Sequence, residues 1–146
     1  MISHLRLSRT LMCIRKHNRN VSRWTSTTAP TTTVGFIGLG NMGLPMCLNL
    51  VQNSQNENGD RTHSIIAYDT NEASIQKAEL GGATPAATLE ELVQSNCDII
   101  FTMLPTCAAV EEVVGTLLES WPVEEEPKSG VFVDCSTVSP MTTRRV

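Results

Sequence analysis

Acidic side chains are absent from residues 1–33, and basic ones are scarce after them. The first segment holds five arginines and one lysine. The following 113 residues hold five basic and fifteen acidic side chains, so the two parts carry +6 and −10 of the chain's net −4. An acid-free stretch rich in Arg, Ser and Thr, with Leu5, Leu7, Leu11, Met12 and Ile14 able to share a helical face, has the character of a mitochondrial transit peptide. Its removal is expected between Arg23 and Thr33, and the expected localisation is the mitochondrial matrix. The competing reading is a disordered basic tail for RNA, which the acidic body opposes, so no nucleic-acid partner is expected. Long apolar runs are also missing from this leader. Its longest, residues 11–14, is too short for a secretory core or a membrane span, and no membrane partner is expected.

Metal-ligand spacings are lacking as well. The five cysteines, Cys13, Cys47, Cys97, Cys107 and Cys135, form neither a Cys-x-x-Cys pair nor a zinc spacing with histidine, and read as reduced core residues. His4 and His17 fall in the leader and His63 follows a polar stretch, so no histidine stands on a plausible catalytic loop. Tyr68 has Glu72 four residues on, where a short-chain dehydrogenase would want lysine. The run Glu124, Glu125 and Glu126 reads as a solvated loop.

What is present begins at residue 34. Val-Gly-Phe-Ile-Gly-Leu-Gly-Asn-Met-Gly passes from an apolar run, suited to a strand buried on both faces, into the glycine spacing of a dinucleotide-binding turn. Gly38 suits the tight exit from the strand, Gly40 lets a pyrophosphate approach the backbone, and Gly43 lets the next helix pack close. Residues 38–43, which include Leu39, Asn41 and Met42, are therefore expected to hold the cofactor at a helix amino terminus, where free N–H groups and the helix dipole favour phosphate. The alternative is a plain strand-turn-helix. Downstream, Met42, Met46, Leu48, Leu50 and Val51 supply apolar positions, and Pro45 lies early enough for a first turn.

The second half of the fingerprint is an acidic residue closing the next strand, where it accepts hydrogen bonds from the ribose hydroxyls. Asp69 fits, ending Ser-Ile-Ile-Ala-Tyr-Asp, although it lies 26 positions past Gly43 rather than about 20 from the fingerprint. The excess is assigned to the asparagine-rich stretch 52–62, a connection at the end of the sheet opposite the ligand crevice. The competing role for Asp69 is a helix cap before Asn71. A carboxylate here with no following arginine favours NAD over NADP.

Together with Pro45, Met46, Asn49 and Leu50, the glycine turn resembles the amino-terminal domain of the β-hydroxyacid dehydrogenases. Two further segments carry the resemblance: Phe-Thr-Met-Leu-Pro-Thr at 101–106 and Asp-Cys-Ser-Thr-Val-Ser-Pro at 134–140. By that resemblance Leu104 and Pro105 lie against the cofactor, Ser136 and Thr137 meet the substrate, and Thr137 also touches the cofactor. On residues alone, Pro105 and Thr106 could merely start a helix. Likewise Ser136 and Thr137 could hold a carboxylate or only shape a turn, with Ser139 capping and Pro140 opening another helix. Ala109 departs from the family, whose closest members have a cofactor-contacting asparagine there.

The resemblance implies NAD-dependent oxidation of a small hydroxy acid by a homo-oligomeric enzyme whose proton-transferring lysine lies past the point where this sequence stops. Of the lysines after the leader, Lys77 and Lys128, neither has that context, so no catalytic residue is expected within this chain. The alternatives are a reductase of small semialdehydes or glyoxylate, and a non-catalytic dinucleotide-binding module.

Apolar runs predict strands at 34–38, 64–69, 98–103 and 131–135, helices at 42–52, 71–80, 88–95 and 107–119, and a short strand at 83–84. Their alternation implies a Rossmann-type doubly wound parallel α/β sheet over residues 34–146. The sheet is expected to be truncated after the fifth strand, without a carboxy-terminal helical domain. Val131, Phe132 and Val133 would then form an apolar edge prone to self-association.

Overall fold

The computed structural model describes residues 32–55, 57–120 and 130–145. Strands and helices alternate: β1 (Thr32–Ile37), α1 (Gly43–Gln52), β2 (His63–Tyr68), α2 (Glu72–Leu80), β3 (Thr84–Pro85), α3 (Leu89–Gln94), β4 (Ile99–Thr102), α4 (Cys107–Ser120), β5 (Val131–Asp134) and α5 (Pro140–Thr143). All five strands are parallel in one sheet, in the order β3-β2-β1-β4-β5. The sequence reverses direction across the sheet at β1, which leaves a crevice at the carboxyl ends of β1 and β4.

Alternation along β1 sorts the core into two layers. Val34 and Phe36 join Ile65, Ala67, Cys47 of α1 and Ala78 of α2 in one cluster. Ile37 joins Leu89, Leu92 and Val93 of α3, Ile100 of β4 and Leu117 of α4 in the other. A central strand is apolar at successive positions because both of its faces are covered. Phe36 and Phe101 stack with ring centroids 6.2 Å apart.

Helix ends follow local chemistry. Asn71 caps α2 by accepting from the Ala73 amide, and Thr88 caps α3 by accepting from the Glu91 amide. The polar stretch after α1 closes on itself through a Thr62 amide bond to the Ser54 carbonyl and a bridge between Gln55 and Arg61. It enters β2 at His63, at the amino ends of the strands. As expected, the extra length lies at the far end of the sheet from the crevice.

Three details differ from the sequence reading. β1 begins at Thr32, so two threonines assigned to the leader pair with His63 and Ser64 of β2. Asp98 explains this early start, since its carboxylate accepts from the Thr33 amide at 2.8 Å and its own amide donates to the Thr33 carbonyl. The short third strand lies at Thr84–Pro85, one residue later than expected. Cys47 and Cys97 are core residues, whereas Cys107 and Cys135 are only half-buried. Burial pushes the Cys47 thiol up to about 11, which keeps it protonated and inert. The leader up to residue 31, the glutamates at 124–126 and Lys128 lie outside the described residues.

Candidate functional site

The turn from β1 to α1 is built where side chains are forbidden. Gly38 has φ +93°, and a Cβ there would run into the Met103 carbonyl on the β4 exit. Its amide donates to the Tyr68 carbonyl at 3.0 Å, tying the turn to the end of β2. A Cβ on Gly43 would overlap the carbonyl of Gly38, so α1 can start this close to the strand only with glycine. Gly40 is different, because a Cβ there would meet nothing within 4 Å. Its bareness serves no internal packing and leaves the backbone open to the crevice.

Helix α1 starts at this turn without the usual protections. Met42 occupies the cap position, no side chain caps the helix, and its first turn contains no acidic residue. Within that first turn the Leu44 amide donates to the Gly40 carbonyl, the Met46 amide to the Met42 carbonyl, and Pro45 has no N–H; the positive end of the helix dipole faces the crevice with no first-turn carboxylate to offset it. Such an end suits a phosphate oxygen.

A cleft of about 660 Å³ opens in front of it. Gly38, Gly40, Asn41, Met42, Gly43, Asp69, Leu104 and Pro105 line it, so eight of the residues singled out from sequence converge there. Leu39 does not line it, since its side chain is fully buried in the core. Its amide donates to Asp69 Oδ2 at 2.5 Å, while Oδ1 accepts from the Asn71 amide at 2.7 Å. Asp69 therefore braces the glycine turn against the β2 exit, and the capping of α2 falls to Asn71. The unshared lone pairs of the carboxylate remain available for hydroxyl donors.

Glu90 and Glu112 also face the cleft, with no Lys or Arg among the described lining residues. Sequence reasoning missed both glutamates. Glu112 belongs to the run Ala109, Glu112, Val113 and Thr116, whose helical spacing puts these residues on one face of α4, so periodicity could have found it.

Ser136 and Thr137 lie outside the lining, on the exit from β5, but Ser136 is joined to it. Ser136 Oγ accepts from the Leu104 amide at 2.8 Å, holding the Leu104-Pro105 turn in place. Asp134 Oδ1 accepts from Thr102 Oγ1 at 2.8 Å and from the Ser136 amide at 3.0 Å. Burial opposes ionisation of Asp134, but the hydroxyl and amide of Ser136 and the hydroxyl of Thr102 outweigh it and hold the carboxyl below its ordinary range. Asp134 stood inside a motif noted from sequence, yet only the structure reveals its three partners. Thr106 caps α4 through the Ala109 amide, and Ser139 caps α5 with Pro140 at its start, so these residues do what helix entries require. Among the described residues no three His, Cys, Asp or Glu side chains could hold a metal ion, and no helix is long and apolar enough to cross a membrane.

A parallel sheet ordered β3-β2-β1-β4-β5, with a glycine turn at the exit of its central strand and an uncapped helix behind it, is a dinucleotide-binding domain. The sequence profile of the NAD-binding domain of 6-phosphogluconate dehydrogenase matches residues 33–146, and the chain belongs to this family. Among individual relatives, it is 29% identical to a probable mitochondrial 3-hydroxyisobutyrate dehydrogenase of Arabidopsis thaliana, covering 97% of this chain and 41% of that protein. It is 36% identical to the 2-(hydroxymethyl)glutarate dehydrogenase of Eubacterium barkeri, covering 77% and 34%. The structure of the 3-hydroxyisobutyrate dehydrogenase of Mycobacterium tuberculosis superposes with a TM-score of 0.66 at 30% identity, covering 79% of this chain and 35% of that one. The chain thus spans 34–41% of the length of these relatives.

Proposed function

We propose that this chain supplies the cofactor-binding part of an NAD-dependent dehydrogenase that oxidises 3-hydroxyisobutyrate to methylmalonate semialdehyde, a step of valine breakdown in the mitochondrial matrix. The observation that carries the cofactor half is the open backbone at Gly40 beside an uncapped helix start. On this reading the pyrophosphate rests on the amides of 40–43 and the adenosine ribose on Asp69. Leu104 and Pro105 form the apolar wall on the β4 side, and the exposed Thr137 reaches cofactor or substrate from the β5 exit. The bound nicotinamide supplies the hydride acceptor. The proton of the alcohol needs a base, for which the resemblance points to a lysine outside these residues.

Preference for NAD is supported by charge. A 2′-phosphate placed near Asp69 meets that carboxylate in a cleft whose described lining also carries Glu90 and Glu112 and no Lys or Arg. Matrix localisation is supported by the acid-free residues 1–33 and by relatives named as mitochondrial from Arabidopsis thaliana, Dictyostelium discoideum and Drosophila melanogaster.

A second reading, a dehydrogenase or reductase of another small acid in the same family, is favoured by one observation. Identity to the 2-(hydroxymethyl)glutarate enzyme exceeds that to the Arabidopsis enzyme, and a 3-sulfolactaldehyde reductase of Escherichia coli is 31% identical. Calorimetric titration with both dinucleotides tests the cofactor, and tighter binding of NADP overturns it. Comparing kcat/KM for 3-hydroxyisobutyrate and 2-(hydroxymethyl)glutarate in the protein carrying this sequence tests the substrate. A higher value for the latter moves the assignment to the second reading.

A further inference from the structure

The peptide unit between Gly38 and Leu39 is held at both of its edges. A trans peptide is planar and points its carbonyl and its N–H in opposite directions, so fixing one edge aims the other. The N–H edge belongs to Leu39 and donates to Asp69 Oδ2 at 2.5 Å. The carbonyl edge belongs to Gly38 and lies against Gly43, where a Cβ would overlap its oxygen. Gly43 opens α1, so that helix is seated on a peptide plane whose far edge Asp69 holds. Asp69 is itself steadied through Oδ1, which accepts from the Asn71 amide at 2.7 Å. The Leu39 side chain is fully buried, which anchors the residue in the core but does not fix this plane. The plane turns about ψ of Gly38 and φ of Leu39, and glycine is the residue that resists such rotation least.

We propose that Asp69 is a positioning residue for the pyrophosphate of the dinucleotide: acting through the Gly38-Leu39 peptide, it sets where α1 begins and how the open backbone at Gly40 faces the cleft. The ribose and pyrophosphate subsites are then one unit, because the residue that takes the ribose hydroxyls also governs the hold on the phosphates. Its charge works in the other direction, since a carboxylate beside the turn repels an anion. Removing the charge alone therefore strengthens phosphate binding, and removing the brace weakens it. The ligand rests on the dinucleotide reading given above, whereas the two hydrogen bonds of Asp69 are the chain's own.

Inorganic pyrophosphate carries no ribose and reads the turn alone. Its affinity for the 146-residue chain can be followed by the amide resonance of Gly40 in wild type, Asp69→Asn and Asp69→Ala. Both variants lose the charge, but only asparagine keeps a side-chain oxygen for the Leu39 amide. Asp69→Ala should bind pyrophosphate at least roughly fivefold more weakly than Asp69→Asn, the factor that one ordinary hydrogen bond supplies. Equal affinities in the two variants overturn the proposal, because a role confined to the ribose or to overall stability does not separate them.

If thermal unfolding shows that Asp69→Ala does not fold, Asp69→Glu decides. It keeps the charge while its extra methylene carries the carboxylate off the Leu39 amide, and it should bind pyrophosphate roughly fivefold more weakly than wild type. Wild-type affinity in that variant overturns the proposal. A Gly40 resonance that NAD moves and pyrophosphate does not also overturns it, and leaves the cofactor reading standing. If neither ligand moves that resonance in the wild type, the dinucleotide reading falls, and the proposal falls with it.

Discussion

Two stretches of the cleft rim solve the same problem by opposite means. At the β1 exit the chain must bring a helix, a strand end and the β4 exit almost into backbone contact, and it does so by deleting side chains at Gly38 and Gly43. At the β4 and β5 exits two neighbouring strand ends must stay in register after their ladder runs out, and there side chains are added: Thr102, Asp134 and Ser136 join the ends through hydroxyls and a carboxylate. The first stretch is held by the fit of backbone against backbone, with Asp69 bracing the turn through the Leu39 amide. The second is held by charge-assisted hydrogen bonds and depends on one ionisation.

The comparison breaks most sharply at Gly43. Gly43→Ala forces α1 away from the Gly38 carbonyl, and should cost about 3 kcal/mol or more in urea unfolding. A loss under about 1 kcal/mol would mean that the two backbones are not locked together. Gly38→Ala should cost somewhat less, about 2 kcal/mol, since it adds left-handed strain at φ +93° and a collision with Met103 that the β4 exit can partly relieve.

On the hydrogen-bonded side the effect is smaller and follows pH. Because the folded state holds the Asp134 carboxyl below its ordinary value, its ionisation contributes stability that is present above the unfolded value of about 3.9 and disappears as pH falls through the folded one. Asp134→Asn should lower stability at pH 7 by about 1 kcal/mol or less, since water screens this partly exposed carboxylate, with the difference from wild type closing below the folded value. A gap that stays constant through acid titration would assign the loss to packing and not to charge.

The smallest expected change has the opposite sign. Gly115 lies inside α4 with open space where a Cβ would stand. Gly115→Ala should raise stability by about 0.5–1 kcal/mol in thermal unfolding. Destabilisation there would show that intolerance of side chains is not confined to the turn.

Legibility in the sequence follows the same division. Apolar runs located the five strands and helices α1 to α4 to within about two residues, because both faces of a central strand must be apolar, while α5 was foreshadowed only by Ser139 and Pro140 as a possible helix entry. The glycine turn was readable since a fixed spacing of residues without side chains has few other uses. Cooperation between β4 and β5 was not readable: Thr102 and Asp134 are 32 positions apart, and only parallel pairing in register sets them side by side. The start of β1 was misjudged for a related reason, because two threonines look like leader until Asp98, 65 residues from Thr33, supplies a partner. Leu39 shows the limit within a local motif. It sits between two cleft-lining glycines, yet its side chain turns into the core and its amide serves Asp69.

Gly40 differs from Gly38 and Gly43 in that its missing side chain opens onto the cleft and touches nothing. Calorimetric titration of NAD into wild type and Gly40→Val, paired with thermal unfolding of both, tests this most directly. The expected result is a midpoint within about 3 °C of wild type, which corresponds to less than about 1 kcal/mol, together with at least a roughly thirtyfold loss of NAD affinity, about 2 kcal/mol. A folded variant that binds NAD as tightly as wild type would contradict the placement of the dinucleotide on this turn.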